Sequence, residues 1–289
     1  APHSASEIIQ WIDKQSGDDA PEDCFRGLKA HFLLMPWFLE MRMRGDVNCE
    51  FQRDLVYSSI NAYYFVRLLD NISDGHSPGD LRLLPLVALF HSNFQAAYSV
   101  WFEPRSLFWE YFNRLWIGMA DATVLHSGIR AFSESDFVAV SSQKIAAVKI
   151  PVAAVCVHYQ RPDLLGSWLD FYDRFACFHE MLDDFCDWHA DLAHGRSSFL
   201  LSEAARRKDS GESMEAYLLR GGLEAGYSKM EGWLGETRSF ASRLDSELLN
   251  RYLQYRSDQL ARFWGLTAPC LALLSGLANV LEGRSDGSG

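Results

Sequence analysis

Asp183, Asp187 and Asp191 recur at every fourth residue of the stretch HEMLDDFCDWHADLAHG, His179 to Gly195. At about 100° per helical residue, that spacing sets three carboxylates on one face of a helix. Like charges four apart destabilise a helix by a few tenths of a kcal/mol per pair. The run also heads into Gly195, a helix stop. Its last carboxylates then sit where the macrodipole disfavours anions. A divalent cation reverses both penalties, because carboxylate oxygens are hard ligands suited to Mg²⁺. Asp184 lies about 100° off this ladder and reads as a solvated side chain, at best one standing behind the ligands. A solvated acidic face explains a lone ladder more simply than a metal does, so a second site decides the matter.

That second site is INAYYFVRLLDNISDG, Ile60 to Gly75. Asp70 and Asp74 are again four apart, and Asp74 runs directly into GHSPG, a Gly/Pro stop. Tyr63, Tyr64, Phe65, Leu68, Leu69 and Ile72 surround the pair with apolar surface. Two acidic pairs, each at the C-terminal end of an apolar helix, suggest two metal-binding walls. Between them they would hold Mg²⁺ around a diphosphate, since Mg²⁺ takes one or two carboxylates plus phosphate oxygens and water.

These two stretches resemble the class I isoprenoid synthases, most closely their squalene/phytoene synthase branch. That branch carries two DxxxD motifs on facing helices. In AYYFVRLLDNISDG, the residues Tyr63, Phe65, Arg67, Asp70, Asp74 and Gly75 fall in the register of its first motif. Asp187, Asp191, Gly195, Arg196 and Leu200 fall in that of its second. The match covers about 40 residues in two ordered blocks. Departures are equally specific. Glu180, Asp183 and Cys186 replace the glutamine, asparagine and arginine of head-to-head coupling enzymes. Their tyrosine and Gly-rich helix are missing from SSQKIAAVKIPVAAV, whose Lys144-Ile145-Ala146-Ala147 looks like the Lys-Thr-Ala element of chain-elongating synthases. The N-terminal Gly-Lys…Arg clamp of those elongating enzymes is not seen.

The resemblance implies an all-α, single-domain bundle with a central cavity. It also implies Mg²⁺ as cofactor, about three ions per active site, a prenyl diphosphate as substrate, and a homodimer, which is common among relatives. Asp70, Asp74, Asp183, Asp187 and Asp191 are the implied metal ligands; all but Asp183 are counted as catalytic. Arg67, Lys144 and Arg196 are candidates for the diphosphate, and Tyr63 and Phe65 for the prenyl chain. By elimination, the expected activity is that of a terpene synthase. It would ionise a linear C15 or C20 diphosphate and cyclise the allylic cation. Alternatives are a head-to-head coupling enzyme and a non-catalytic isoprenoid-binding homologue.

The rest of the chain is compatible with this reading. The formal charge of −11 argues against nucleic acid and against a polybasic lipid contact. An acidic enzyme handles an anionic substrate when bound metal inverts the local charge. Nine Trp, eleven Tyr and nineteen Phe supply aromatic faces that stabilise cations, although most such residues are plain core. Six cysteines without CxxC spacing read as free thiols of a reducing cytoplasm. His179-Glu180 is no zinc motif, because position 183 is Asp. APHSASE does not look like a signal peptide. No transmembrane segment is expected; Leu266 to Leu281 reads as a buried helix.

The positioning elements follow from caps and breakers. About ten helices are expected in residues 1–281, with 282–289 a disordered tail. Pro21, Pro104 and Pro162 mark helix starts. Ser133 and Asp136 form a capping box for the Lys144 helix, which Pro151 should kink. Pro85 is a second expected kink.

Overall fold

The computed structural model describes residue 6 and residues 9–12, 31–73 and 82–285. The side chains of residues 31, 70, 73, 127 and 277–285 fall outside that description. The structure is all-α, and no strand occurs among the described residues. Among the described residues, 9–12 are helical and eleven further α-helices follow in order: α1 His31–Arg44, α2 Cys49–Ser73, α3 Leu84–Ser99, α4 Leu107–Gly128, α5 Glu134–Lys144, α6 Ala146–His158, α7 Pro162–His194, α8 Phe199–Arg207, α9 Met214–Tyr217, α10 Leu223–Ala241 and α11 Glu247–Ser285. They form two compact units, Ala1–Trp116 with Ala147–Gly166, and Ile117–Ala146 with Ser167–Gly289.

Local signals set most helix ends. Ser133 accepts the N–H of Asp136, and the Asp136 side chain accepts that of Ser133, the expected capping box. Pro162 opens α7. Pro85 does not kink its helix: it stands in the first turn of α3, where a missing N–H costs nothing. The helix around Lys144 is interrupted at Ile145, and Pro151 lies inside α6.

In the first unit, α3 buries Leu86, Phe90, Phe94 and Tyr98, every fourth residue. The Ser58 hydroxyl donates to the Phe94 carbonyl at 2.9 Å and ties α2 to α3. Glu40 of α1 is fully buried, and its carboxylate is saturated. It accepts the Asn48 N–H at 2.8 Å, the Gln52 amide at 2.5 Å and the Tyr159 hydroxyl. Burial, with Glu40 beside it, pushes Tyr159 up to about 12, so the phenol stays a donor. Arg44 lies over its ring at 4.9 Å.

In the second unit, α7 buries Trp168, Phe171, Tyr172, Phe175, Phe178, Met181 and Phe185. The amphipathic α8 buries Phe199, Leu200, Leu201 and Ala204. Gly226 of α10 permits a close approach: a Cβ there would lie 3.1 Å from side-chain atoms of both Leu200 and Met181. The stretch from Leu266 is not the buried helix its composition suggests. One face of α11 is covered, with Trp264 stacked on Tyr227 at 4.3 Å and Phe263 against Phe185. The other presents Leu266 at 77% and Leu273 at 70% exposure. No single helix among the described residues is long and apolar enough to cross a membrane.

Candidate active site at the end of α7

The ladder lies on α7, and its exposure changes along it. Each step of four residues turns about 40° past a full circle, so the ladder winds towards the buried face. Asp183 and Asp187 are exposed, whereas the Asp191 side chain is only 17% exposed. Asp187 makes no hydrogen bond or ion pair with any described residue. Between Asp183 and Asp187, burial and then the two carboxylates push the Cys186 thiol up.

The helix stops as its glycine requires. Gly195 takes φ +66°, its N–H bonds the Leu192 carbonyl at 3.2 Å, and the Arg196 N–H reaches the Asp191 carbonyl at 2.8 Å. This is a Schellman end. It turns Arg196 back on the ladder, its guanidinium 3.7 Å from the Asp191 carboxylate. A Cβ at Gly195 would meet nothing within 4 Å, so only backbone strain opposes Gly195→Ala. A loss of about 1 kcal/mol is expected in thermal denaturation.

A second cation joins the site from α5. Lys144, in its last turn, places Nζ 3.5 Å from Glu180, one turn before Asp183. Both pairs exceed hydrogen-bonding distance, and each cation is about one-third exposed or less.

Asp184 corrects the expectation of a solvated side chain. Its Oδ2 accepts the N–H of Phe199 at 2.8 Å and that of Leu200 at 3.2 Å. Burial pushes its carboxyl up to about 7, against the pull of those two donors. A helical wheel contains the signal, since position 184 borders the buried positions 181 and 185. Its partners are absent from the wheel, because they lie on another helix.

The first acidic stretch belongs to the other unit. Tyr63 is partly exposed and stacks on Phe32 at 5.9 Å. Phe65 points elsewhere, into rings of His91 and Trp116 at 5.3 and 5.2 Å. Arg67 is exposed. Asp70 has its backbone in α2, but its side chain lies outside the described residues, as does all of Asp74.

Among the described residues, no three His, Cys, Asp or Glu side chains stand close enough to enclose an ion. That disfavours a closed structural site such as zinc's. It suits Mg²⁺, which needs only one or two carboxylates and takes its other oxygens from phosphate and water.

No protein-family model matches the chain, and no curated protein matches it by sequence. Solved structures do. A polyprenyl synthase from Roseobacter denitrificans aligns over 90% of this chain and 95% of its own, with TM-score 0.63 and 14% identity. A geranylgeranyl pyrophosphate synthetase from the archaeon Geoglobus acetivorans aligns over 90% and 97%, with TM-score 0.62 and 12% identity. A polyprenyl synthase from Caulobacter crescentus, complexed with calcium and isoprenyl diphosphate, aligns over 88% and 94%, with TM-score 0.61 and 14% identity. With eleven helices, no described strand and these neighbours, the chain has the all-α isoprenoid synthase fold.

Proposed function

We propose that this protein is a Mg²⁺-dependent enzyme of prenyl diphosphates, and within that class a terpene synthase. It ionises one linear C15 or C20 diphosphate and cyclises the allylic cation. The observation that carries the reading is the end of α7, where exposed Asp183 and Asp187 sit on the same helix as two cation–carboxylate pairs, Arg196–Asp191 and Lys144–Glu180. The neighbours' calcium and isoprenyl diphosphate belong to the Caulobacter enzyme and lend the reading only plausibility.

In this reading Asp183, Asp187 and Asp191 would hold Mg²⁺, and Asp70 and Asp74 are the further ligands that the first acidic stretch would supply. Bound Mg²⁺ supplies the charge that neutralises diphosphate as the C–O bond breaks. Arg196 and Lys144 would donate charge-assisted hydrogen bonds to the phosphate oxygens. Arg67 is the candidate for the diphosphate on α2. Tyr63 is the candidate for the prenyl chain, where an aromatic quadrupole would stabilise the cation left behind; Phe65 is packed on His91 and Trp116 and would act only from behind it. Arg196→Ala is expected to lower kcat/KM about 10- to 100-fold, mostly through KM, with the fold intact. Steady-state diphosphate release checks it.

The deciding experiment incubates the protein with Mg²⁺ and geranyl, farnesyl or geranylgeranyl diphosphate, with and without NADPH. Extracts are analysed by gas chromatography and mass spectrometry. A cyclic product of the substrate's own carbon count supports the terpene synthase. Doubled carbon count establishes head-to-head coupling instead, the second reading, favoured by the register of AYYFVRLLDNISDG. Binding without diphosphate release establishes a non-catalytic homologue.

A further inference from the structure

Asp184 stands inside the acidic stretch of α7, yet its Oδ2 serves α8. It takes the first two N–H groups of that helix, Phe199 and Leu200. Ser198 caps the third, accepting the Leu201 N–H at 3.3 Å. Helix N-termini leave these donors without partners, so the first turn of α8 is closed by one anchor from α7 and one of its own.

The chain between the two helices is short. From Gly195 to Ser198 it is pinned at both ends, by the Schellman bonds to Asp191 and Leu192 and by the Asp184 anchor at Phe199. Ser197 adds a hydrogen bond to the Arg130 carbonyl at 2.9 Å. Arg196 lies between these pins and beside the ladder. The apolar face of α8 holds the helix down independently, through Phe199, Leu200, Leu201 and Ala204. Loss of Asp184 therefore removes the pin at the Phe199 end, loosening the first turn and the segment before it against the bonds that remain, and leaves the helix packed.

We infer that Asp184 is a positioning residue for diphosphate: by fastening the start of α8 to α7, it fixes where Arg196 stands relative to Asp183, Asp187 and Asp191. This rests on the proposed diphosphate reading of that site. It also separates Asp184 from its neighbours in role. Asp183 and Asp187 present oxygens outward, whereas Asp184 acts through backbone donors and needs no charge to do so.

The test is calorimetric titration of the full-length protein with inorganic pyrophosphate in the presence of Mg²⁺. Asp184→Ala is expected to bind at least about tenfold more weakly, with unchanged far-UV circular dichroism. Asp184→Asn keeps an oxygen that accepts both N–H groups and is expected to stay within about threefold of wild type. In an Arg196→Ala background, Asp184→Ala should cause no further loss, because the residue it positions is gone. A folded Asp184→Ala that binds like wild type overturns the inference and leaves a purely structural cap. Tenfold weakening in Asp184→Asn also overturns it, since charge rather than hydrogen bonding would then be required. Should Asp184→Ala not fold, Asp184→Asn alone decides by the same limits. Wild type that binds no pyrophosphate overturns the diphosphate reading itself, and this inference with it.

Discussion

Replacing Asp187 with alanine is expected to reduce Mg²⁺-dependent diphosphate release by a factor of about 10³ or more, an activation penalty of roughly 4 kcal/mol. The thermal midpoint should stay in place or rise slightly. Asp187 is exposed and engages no described side chain, so its removal breaks no packing. It also relieves repulsion from Asp183 and Asp191, worth a few tenths of a kcal/mol per pair. The loss of turnover is the diagnostic part, because removing a carboxylate kept only for solubility would leave diphosphate release unchanged. Asp70→Ala and Asp74→Ala should show a similar loss of turnover if the first acidic pair is the second metal wall. An Asp187→Ala protein that releases diphosphate at the wild-type rate would remove the ladder from the chemistry.

Glu40→Ala should be the most destabilising of these substitutions, by about 3–5 kcal/mol in urea denaturation. The carboxylate is buried, and its oxygens accept three donors from α1's surroundings: the Asn48 backbone, Gln52 of α2 and Tyr159 after α6. Alanine leaves a backbone N–H, an amide and a phenol without an acceptor. Ionising would not relieve the phenol, since burial, the largest cause of its raised pKa, remains without Glu40. Glu40→Gln should lose less, because its remaining carbonyl oxygen still serves part of the set. A loss below about 1 kcal/mol for alanine would mean that water replaces the carboxylate at this junction.

The two effects separate the roles of acid in this chain. Asp187 is exposed, repelled and dispensable to the fold; Glu40 is buried, saturated and necessary to it. Asp184 falls between them, half-buried and holding backbone donors, but placed among the ladder residues.

By itself, the sequence determined whatever depends on a few neighbouring residues. The all-α class follows from apolar spacing near 3.6, and the structure has it. The capping box at Ser133 and Asp136, the stop at Gly195 and the start at Pro162 are matters of local dihedrals and first-turn donors, and all three stand as read. The fourfold spacing of Asp183, Asp187 and Asp191 is likewise a property of one helix.

Only the tertiary structure decided which of those acids face water. The donors to Asp184 lie 15 and 16 residues away, on a helix folded back against its own. Glu40 and Tyr159 are 119 residues apart, and neither residue type signals a partner at that distance. The same limit explains the misread leucines of α11 and the misread Pro85. Composition states that Leu266 and Leu273 are apolar, but burial depends on what packs against each face, and only one face of α11 is covered. Proline ends or opens a helix according to where the first turn falls, and that is set by the contacts α3 makes through Leu86, Phe90, Phe94 and Tyr98.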